Sequence, residues 1–404
     1  MQPELIQRLQ QQTEAELGRR AKRIAPDFPA LPPLPAARYV DPRLYALEQQ
    51  HVFGRQWLYA GEASELPEPG SFKLWDKAGV PVLLVRDGDG LIRAFYNSCR
   101  HRGASLVAAE RGTVKAFACN FHCWTYALDG ALRSVPDEHE FPALDKSTLG
   151  LRPLRCEMLG NLIFINQDPH ARPLMEHLGR AGQEIAHFDF DRRRVIHSMQ
   201  FEIDCNWKIA IDAFAESYHL FRTHRDTVAP VFESHGQVLR LWPDGHSFML
   251  TAARREARGN WIMDTGSQDP RHELTRSEQL SVTIFPNIIM ALGEFIFPIF
   301  NFWPMGLSKT RFEAVLTTTR PIDDEERAQA HVAAEQLKVI LLEDASNMSA
   351  IQTSVEKGLL EHVVLGCQER RIYQFHEAID RQIGVDRIPP ELRVESVTAP
   401  HIES

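Results

Sequence analysis

The chain has 404 residues, 44% of them hydrophobic and 25% charged, with a formal net charge of −9. That length favours two or three domains, and the composition leaves ample material for a sizeable core. The acidic balance argues against a nucleic-acid partner, which needs a basic patch or stripe. The short runs Arg19-Arg20-Ala21-Lys22-Arg23 and Arg192-Arg193-Arg194 read as solvated faces or turns. Residues 1–22 contain no apolar signal core, and the most apolar stretch, 284–304, is broken by Pro286, Glu294, Pro298 and Pro304. Neither a secretory signal nor a membrane span is expected. Six cysteines do not make a disulfide scaffold, so a reduced, cytoplasmic protein is expected.

Residues 3–24 read as a helix with Leu5, Ile6, Leu9 and Leu17 on one apolar face. Five prolines within residues 25–37 deny helix and sheet alike. Residues 42–59 read as a second helix running into Gln56-Trp57-Leu58-Tyr59-Ala60. From 70 to about 164 the pattern is short strands with turn signals: a strand at 80–85, the turn Asp87-Gly88-Asp89-Gly90, a returning strand at 91–96 and a closing strand at 162–165. The Asp-Gly-Asp-Gly turn lacks the other ligands of a twelve-residue calcium loop and reads as a hairpin. This region makes a small antiparallel β domain.

From about 170 a larger domain follows. It has a strand at 198–204, a helix over 207–221 and several strands within 235–320, whose aromatic-rich segment 295–303 faces an apolar interior. A long helix starts at Asp323-Asp324, which can cap it, runs to about 342 and resumes to 365. The resulting division is 1–45 (N-terminal helix and proline-rich linker), 46–168 and 169–404. No internal repeat, low-complexity tract or coiled-coil heptad is present.

Two short motifs carry the chemistry of the β domain. Cys99-Arg-His101 and Cys119-Asn-Phe-His122 are separated by seventeen residues. Two thiolates and two imidazoles in this arrangement suit a [2Fe–2S] cluster of the Rieske type, in which the cysteines hold one iron and the histidines the other. Cys2His2 is also a zinc set, but zinc sites usually pair like with like, whereas each motif here contributes one ligand of each kind. Gly103 and Trp124 follow the two motifs as parts of loop tips that close over a cluster. Cys123, Cys156, Cys205 and Cys367 read as reduced thiols without a role in the site.

A second metal site is suggested within residues 206–224. His219 and His224 are five apart, about 140° on a regular helix, so they converge only if the helix loosens or ends between them near Arg222-Thr223. Two histidines that leave one side of a metal open need a carboxylate to complete the 2-His-1-carboxylate triad of non-haem Fe(II) oxygenases. Asp344 on the late helix is the candidate. Its neighbour Glu343 competes, although adjacent helix residues point about 100° apart and only one can ligate.

Together, Cys99/His101/Cys119/His122, then Asn206-Trp207-Lys208 leading to Glu216-x-Tyr218-His219-x4-His224, then Glu343-Asp344 with Gln352, resemble the large (alpha) subunit of Rieske non-haem iron ring-hydroxylating oxygenases over residues 39–365. The resemblance implies an α+β protein: a small antiparallel β Rieske domain followed by a helix-grip catalytic domain, an antiparallel sheet plus long helices. It implies a Rieske [2Fe–2S] cluster on Cys99, His101, Cys119 and His122, and mononuclear Fe(II) on His219, His224 and Asp344. Glu216 stands where many members carry Asp, at the bridge between a cluster histidine of one subunit and an iron histidine of the next. Glutamate at this place also occurs in members that oxidise quaternary-ammonium substrates. The implied activity is O2-dependent hydroxylation or dihydroxylation of an aromatic or other hydrophobic small molecule, with N-demethylation or C–N cleavage of a quaternary ammonium as the alternative. The sequence has no G-x-G-x-x-G after a strand and no second cysteine set. A separate NAD(P)H-dependent reductase, with or without a ferredoxin, is therefore expected. The implied assembly is a trimer, with or without a small β subunit. Asp212, Ala213 and Phe214 are expected to line the substrate pocket, along with one parity of Phe295, Phe297, Phe300 and Phe302. An electron-transfer protein and a zinc-stabilised lipid-binding module are the readings from other classes.

Overall fold

The apolar face of α1 (Pro3–Ala21) buries Leu5, Ile6 and Leu9, and the helix ends three residues earlier than its pattern suggests. The structure, a computed structural model, describes residues 1, 3–254, 269–276 and 278–403. The proline-rich segment after α1 does not exclude sheet altogether. Leu34–Pro35 forms a two-residue strand, β1, antiparallel to His362–Val363. So short a pairing needs few donors and tolerates the proline. Pro42 opens α2 (Pro42–Glu48), and the Asp41 carboxylate accepts from the N–H groups of Arg43 and Leu44. The helix expected to reach residue 59 stops being α-helical at Glu48. Residues Gln49–Phe53 wind as a π turn, and the Leu58-Tyr59 pair, buried on both faces, opens a strand directly after the buried Trp57.

The chain forms two compact units, Gly54–Leu174 and Met1–Phe53 with Met175–Ser404. These units divide the chain at 53/54 and 174/175, and the N-terminal helix and linker share a unit with residues 175–404. In the first unit, β2 (Leu58–Glu62), β3 (Ser71–Trp75), β4 (Val82–Arg86), β5 (Ile92–Tyr96) and β6 (Arg111–Thr113) form an antiparallel sheet with two later strands, β10 (Pro153–Leu159) and β11 (Leu162–Asn166). The order is β2-β11-β10-β5-β4-β3-β6. Between them, β7 (Phe117–Ala118), β8 (Thr125–Tyr126) and β9 (Leu132–Ser134) make a three-stranded sheet. The β4–β5 hairpin is closed by Asp87, whose carboxylate accepts from the N–H of Asp89 and of Leu91 at 2.9 Å and from Arg93 Nε at 2.5 Å. These bonds occupy both oxygens, so the turn is a hairpin and not a calcium loop.

The second unit holds α3 (Leu174–Ile185) and a seven-stranded antiparallel sheet. Its strands are β12 (Arg194–Ile203), β13 (Phe232–Leu241), β14 (Ser247–Ala253), β15 (Glu278–Ile284), β16 (Ile288–Leu292), β17 (Ile296–Gly306) and β18 (Lys309–Thr318). They are ordered β12-β18-β17-β16-β15-β14-β13. Against this sheet lie α4 (Trp207–Phe214), α5 (Leu220–Thr223) and α6 (Asp324–Glu356). The α6 helix is one continuous element capped by Asp323, without the interruption near 342 that its sequence suggests, and it ends at 356. The pair of β1 becomes β19 (His362–Val363), and α7 (Arg370–Ile383) completes the unit. The α7 helix is not evident from the sequence, because much of its buried surface is polar: Arg371, Gln374, His376, Glu377 and Asp380 are all buried with hydrogen-bond partners. No described helix is long and apolar enough to cross a membrane.

Candidate metal centres and the adjoining cavity

The two Cys/His loops share one backbone plan. The N–H of Gly103 donates to Cys99 O and that of Cys123 to Cys119 O, both at 2.9 Å, while the cysteine N–H groups donate to Ala104 O and Trp124 O. Four residues after its first cysteine, each loop turns through the left-handed region, at Gly103 (φ 79°) and Cys123 (φ 58°). Glycine suits that conformation, and Cys123 adopts it despite its Cβ. This gives Cys123 a place in the loop architecture that its sequence position alone does not reveal.

Cys99 and Cys119 are buried free thiols, whereas Cys123 is exposed. His101 stacks on Trp124 with ring centroids 4.7 Å apart and 9° between planes, and the His122 ring lies 4.7 Å away. Burial lowers the His101 pKa, and nearby His122 and Arg102 add to this, so the neutral ligating form is favoured. Its Nδ1 is buried with no hydrogen-bond partner, which leaves that nitrogen available as a ligand. The Tyr126 hydroxyl sits 3.2 Å from Cys99 Sγ and accepts from the Arg100 N–H at 3.0 Å. Among the described residues, three ligand atoms within 4.8 Å of one another occur at another site and not in this quartet. A single tetrahedral zinc would draw the four closer. The donor set and spacing fit a two-iron cluster.

In the second unit, the Asn206 side chain caps α4 through the Lys208 N–H at 3.0 Å, and the Asn206 N–H donates to Gln352 Oε1 at 2.8 Å. Trp207 Nε1 and Lys208 Nζ both reach the buried Glu48 carboxylate, at 2.8 and 2.7 Å. The Asn-Trp-Lys motif therefore anchors the helix, and none of its side chains faces the site. The helix ends at Phe214, not at 221. After an unwound stretch, α5 runs between the two histidines, with His219 at its N-cap and His224 at its C-cap. Helix α5 ends at Thr223, between the histidines as their spacing requires, and a second break after Phe214 precedes His219.

Asp344 on α6 faces both rings: its Oδ1 lies 2.8 Å from His224 Nε2 and 3.4 Å from His219 Nε2. These three residues are the one group among the described residues whose ligand atoms all lie within 4.8 Å of each other. A glutamate stands behind each ring. Glu216 Oε1 is 2.5 Å from His219 Nδ1, and its other oxygen accepts from the N–H groups of Tyr218 and His219. Glu216 thus works from a non-helical turn and not from a shared helix face. Glu343 Oε2 is 2.7 Å from His224 Nδ1 and accepts from the Thr227 hydroxyl at 2.7 Å, so Glu343 supports a histidine instead of competing with Asp344.

Burial opposes charge on His219, but hydrogen bonds to Asp344 and Glu216 outweigh it and push the pKa up to about 10. His224 is raised against burial in the same way, chiefly by Asp344. Burial would raise the Asp344 pKa, yet the two histidines hold it below the usual carboxylate range. Three carboxylates around two imidazoles call for positive charge, which a divalent cation supplies. Two Nε2 atoms and one carboxylate on the same side, with both Nδ1 atoms held from behind, fit the facial triad of a non-haem iron.

A cavity of about 570 Å³ opens beside the triad. Ala213 and Phe214 line it as expected, but Asp212 does not. One helix position back turns Asp212 about 100° away from Ala213. There its Oδ2 accepts from the Tyr39 hydroxyl at 2.8 Å and lies 3.1 Å from His376 Nε2, inside a buried network. Phe297 and Phe300 line the cavity, whereas Phe302 packs between Phe214 and Phe312 and Phe295 lies under the Arg320 guanidinium. An aliphatic wall that the sequence does not reveal comes from α6, through Leu337, Val339 and Ile340. Charged or titratable lining is confined to Glu216, His219, His224 and Asp344; among the described residues no lysine or arginine contributes.

Comparison with known proteins agrees with this arrangement. Residues 56–148 match the profile of the Rieske [2Fe-2S] domain, and residues 190–385 match that of the ring hydroxylating alpha subunit (catalytic domain). The glycine betaine monooxygenase oxygenase subunit of Pseudomonas aeruginosa is 32% identical over 200 residues, covering 50% of this chain and 46% of that protein. The biphenyl 2,3-dioxygenase alpha subunit of Rhodococcus jostii is 39% identical over 188 residues, covering 45% of this chain and 41% of that protein. The matched stretch therefore spans less than half the length of these relatives. Among solved structures, a quaternary ammonium Rieske monooxygenase superposes with a TM-score of 0.76 at 20% identity, covering 88% of this chain and 98% of that one. Naphthalene 1,2-dioxygenase from Rhodococcus sp. gives 0.73 at 22% identity, covering 87% and 94%. At such identities the structural likeness speaks for the fold alone.

Proposed function

The chain belongs to the alpha subunits of Rieske-type ring-hydroxylating oxygenases, whose cofactors are a Rieske [2Fe–2S] cluster and mononuclear iron, and on that premise we propose that it is an oxygenase component that hydroxylates or dihydroxylates an aromatic or other hydrophobic small molecule. The observation that carries this reading is the convergence of His219, His224 and Asp344 at one end of a cavity walled by phenylalanine and aliphatic side chains.

Cys99, Cys119, His101 and His122 would hold the cluster, and His219, His224 and Asp344 the iron. Once bound, the two groups supply electron delivery and O2 activation. The protein's own part is positional. Glu216 and Glu343 fix the tautomer and tilt of the two imidazoles. The apolar wall keeps water from the reacting carbon and orients the ring. Glu216 also stands ready to accept a hydrogen bond from a cluster histidine of a neighbouring subunit. This arrangement supports a homotrimer, with or without a small β subunit. Electrons would come from a separate NAD(P)H-dependent reductase, with or without a ferredoxin, in a cytoplasmic pathway of aromatic catabolism.

A second reading, monooxygenation of a quaternary ammonium, is favoured by Glu216 and by the glycine betaine and carnitine monooxygenases among the relatives. The cavity supplies phenylalanine faces for a cation. Among the described residues it offers no cationic side chain for the carboxylate of a betaine.

The test is a single-turnover experiment. The purified protein is reduced without oxygen, one compound is added, oxygen is admitted and the visible cluster bands are followed. Fast reoxidation with aromatic hydrocarbons, slowed in His219→Ala, is expected. Fast reoxidation only with quaternary ammonium compounds would establish the second reading. Reoxidation indifferent to compound and variant would mean an electron carrier, and a colourless protein would point to zinc.

A further inference from the structure

The sheet wall of the cavity is not uniformly apolar. In the antiparallel register Thr251 on β14 faces Gln279 on β15, Met249 faces Ser281, and Ser281 faces Ala291 on β16. Strand alternation puts these five residues on one face of the sheet, and all five line the cavity. Thr251, Gln279 and Ser281 thus form a neutral polar patch within a hydrophobic wall.

Ser281 is 5% exposed, and its hydroxyl has no hydrogen-bond partner. Buried hydroxyls in folded proteins are nearly always paired, because an unpaired one gives up hydration without recompense. Alanine would fit the same strand position without that cost. A hydroxyl kept unpaired on a cavity wall points to a partner that arrives with the ligand. Gln279 donates its amide to Leu280 O at 2.9 Å, which leaves its own carbonyl oxygen to accept. The patch therefore offers one acceptor from Gln279 beside the hydroxyls of Ser281 and Thr251, each able to donate or accept.

We infer that Thr251, Gln279 and Ser281 form a specificity site for a hydroxyl substituent on an otherwise apolar ring substrate. The inference rests on the oxygenase reading above and narrows its substrate class. A hydroxyl both donates and accepts, as the patch requires. A quaternary ammonium does neither, and a carboxylate would meet no cation among the described residues there.

The test is calorimetric binding to the oxidised, metal-loaded protein under anaerobic conditions, where no turnover occurs. The probes are naphthalene, 2-naphthol, 2-methoxynaphthalene and choline. 2-Naphthol should bind about five- to tenfold more tightly than naphthalene, as one well-made hydrogen bond provides. 2-Methoxynaphthalene, which accepts but cannot donate, should fall between them. In Ser281→Ala the preference should drop below about threefold with no loss of melting temperature, since the variant removes an unpaired group. Thr251→Val, of the same shape, should weaken the preference in part. Equal binding of naphthalene and 2-naphthol by the wild type overturns the inference, as does a preference that survives both substitutions. So does a lowered melting temperature in Ser281→Ala, which would assign the serine to packing. Binding of choline with no neutral ring bound would instead overturn the underlying reading of an apolar substrate.

Discussion

Glu343 Oε2 lies 2.7 Å from His224 Nδ1, on the side of the imidazole away from the Nε2 that faces Asp344. Two consecutive residues of α6 thereby address the two nitrogens of one ring. Successive helix positions diverge by about 100°, so Asp344 points into the site while Glu343 passes along its flank. His219 repeats the scheme with Glu216 behind it. Neither ring can rotate or change tautomer without breaking a hydrogen bond to a carboxylate.

Replacing Glu343 should therefore weaken metal binding without removing a ligand. Loss of such a supporting partner typically lowers metal affinity by about 10- to 100-fold. Glu343→Ala should show that loss in a chelator competition assay, Glu343→Gln a smaller one, and the cluster absorption should stay unchanged in both. Wild-type iron affinity in Glu343→Ala would mean that Thr227 and packing alone hold His224.

Cys123 lends itself to a sharper test, because its thiol neighbours a proposed cluster ligand. Its φ of 58° is uncommon for a residue with a side chain, and the equivalent place in the other loop is Gly103. Cys123→Gly should relieve the left-handed strain and raise stability by about 1 kcal/mol. The cluster bands should be retained, whereas Cys119→Ala should abolish them. Loss of the bands in Cys123→Gly would show that this thiol ligates.

The two Cys/His motifs and the histidine pair stand out in the sequence because metal chemistry fixes residue type and spacing more strictly than packing does, and the structure brings His219, His224 and Asp344 together. Helix ends are not legible in this way. Residues 207–221 look helical throughout, yet Ala215–His219 unwinds, because Glu216 takes the N–H groups of Tyr218 and His219 for its own carboxylate. Asp212 was misplaced by one helix step, a difference that only the facing α7 reveals. That helix stayed hidden because its buried side chains are polar and satisfied by distant residues such as Arg38 and Trp242.

Phe300 is expected to limit the size of the ligand that the cavity admits. It is 5% exposed, lines the cavity and packs against Phe214 and Phe312 at centroid distances of 5.3 and 5.6 Å. Truncating a buried phenylalanine costs roughly 3–5 kcal/mol, and the lower end is expected here because one side already faces open space. Phe300→Ala should unfold at lower denaturant concentration and admit three-ring hydrocarbons that the wild type binds poorly. A variant with unchanged size selection would place the steric limit elsewhere, at Phe297 or on α6.

His376 should make the catalytic unit sensitive to mild acid. Arg38 Nε lies 3.1 Å from His376 Nδ1, and because arginine only donates, Nδ1 must be the accepting nitrogen and Nε2 must carry the proton that faces Asp212. A second proton on Nδ1 would meet the Arg38 guanidinium head-on. Burial lowers the pKa of this ring, Asp212 opposes that shift, and Arg38 and Lys208 reinforce it; Tyr39 contacts the same nitrogen as Asp212. The folded value therefore lies below the unfolded one of about 6.5. Above that pH both states are neutral at His376 and its contribution is fully present. As the pH falls, the unfolded chain takes up a proton that the folded one refuses, and stability declines by up to about 1.4 kcal/mol per pH unit from this group. Denaturant titrations at pH 7.5, 6.5 and 5.5 should show a steeper decline for the wild type than for His376→Gln, which is less stable at pH 7.5 but has no ring to protonate. The comparison between the two proteins cancels the other histidines. Parallel declines would mean that His376 titrates alike in both states, and that Arg38 does not hold Nδ1 unprotonated.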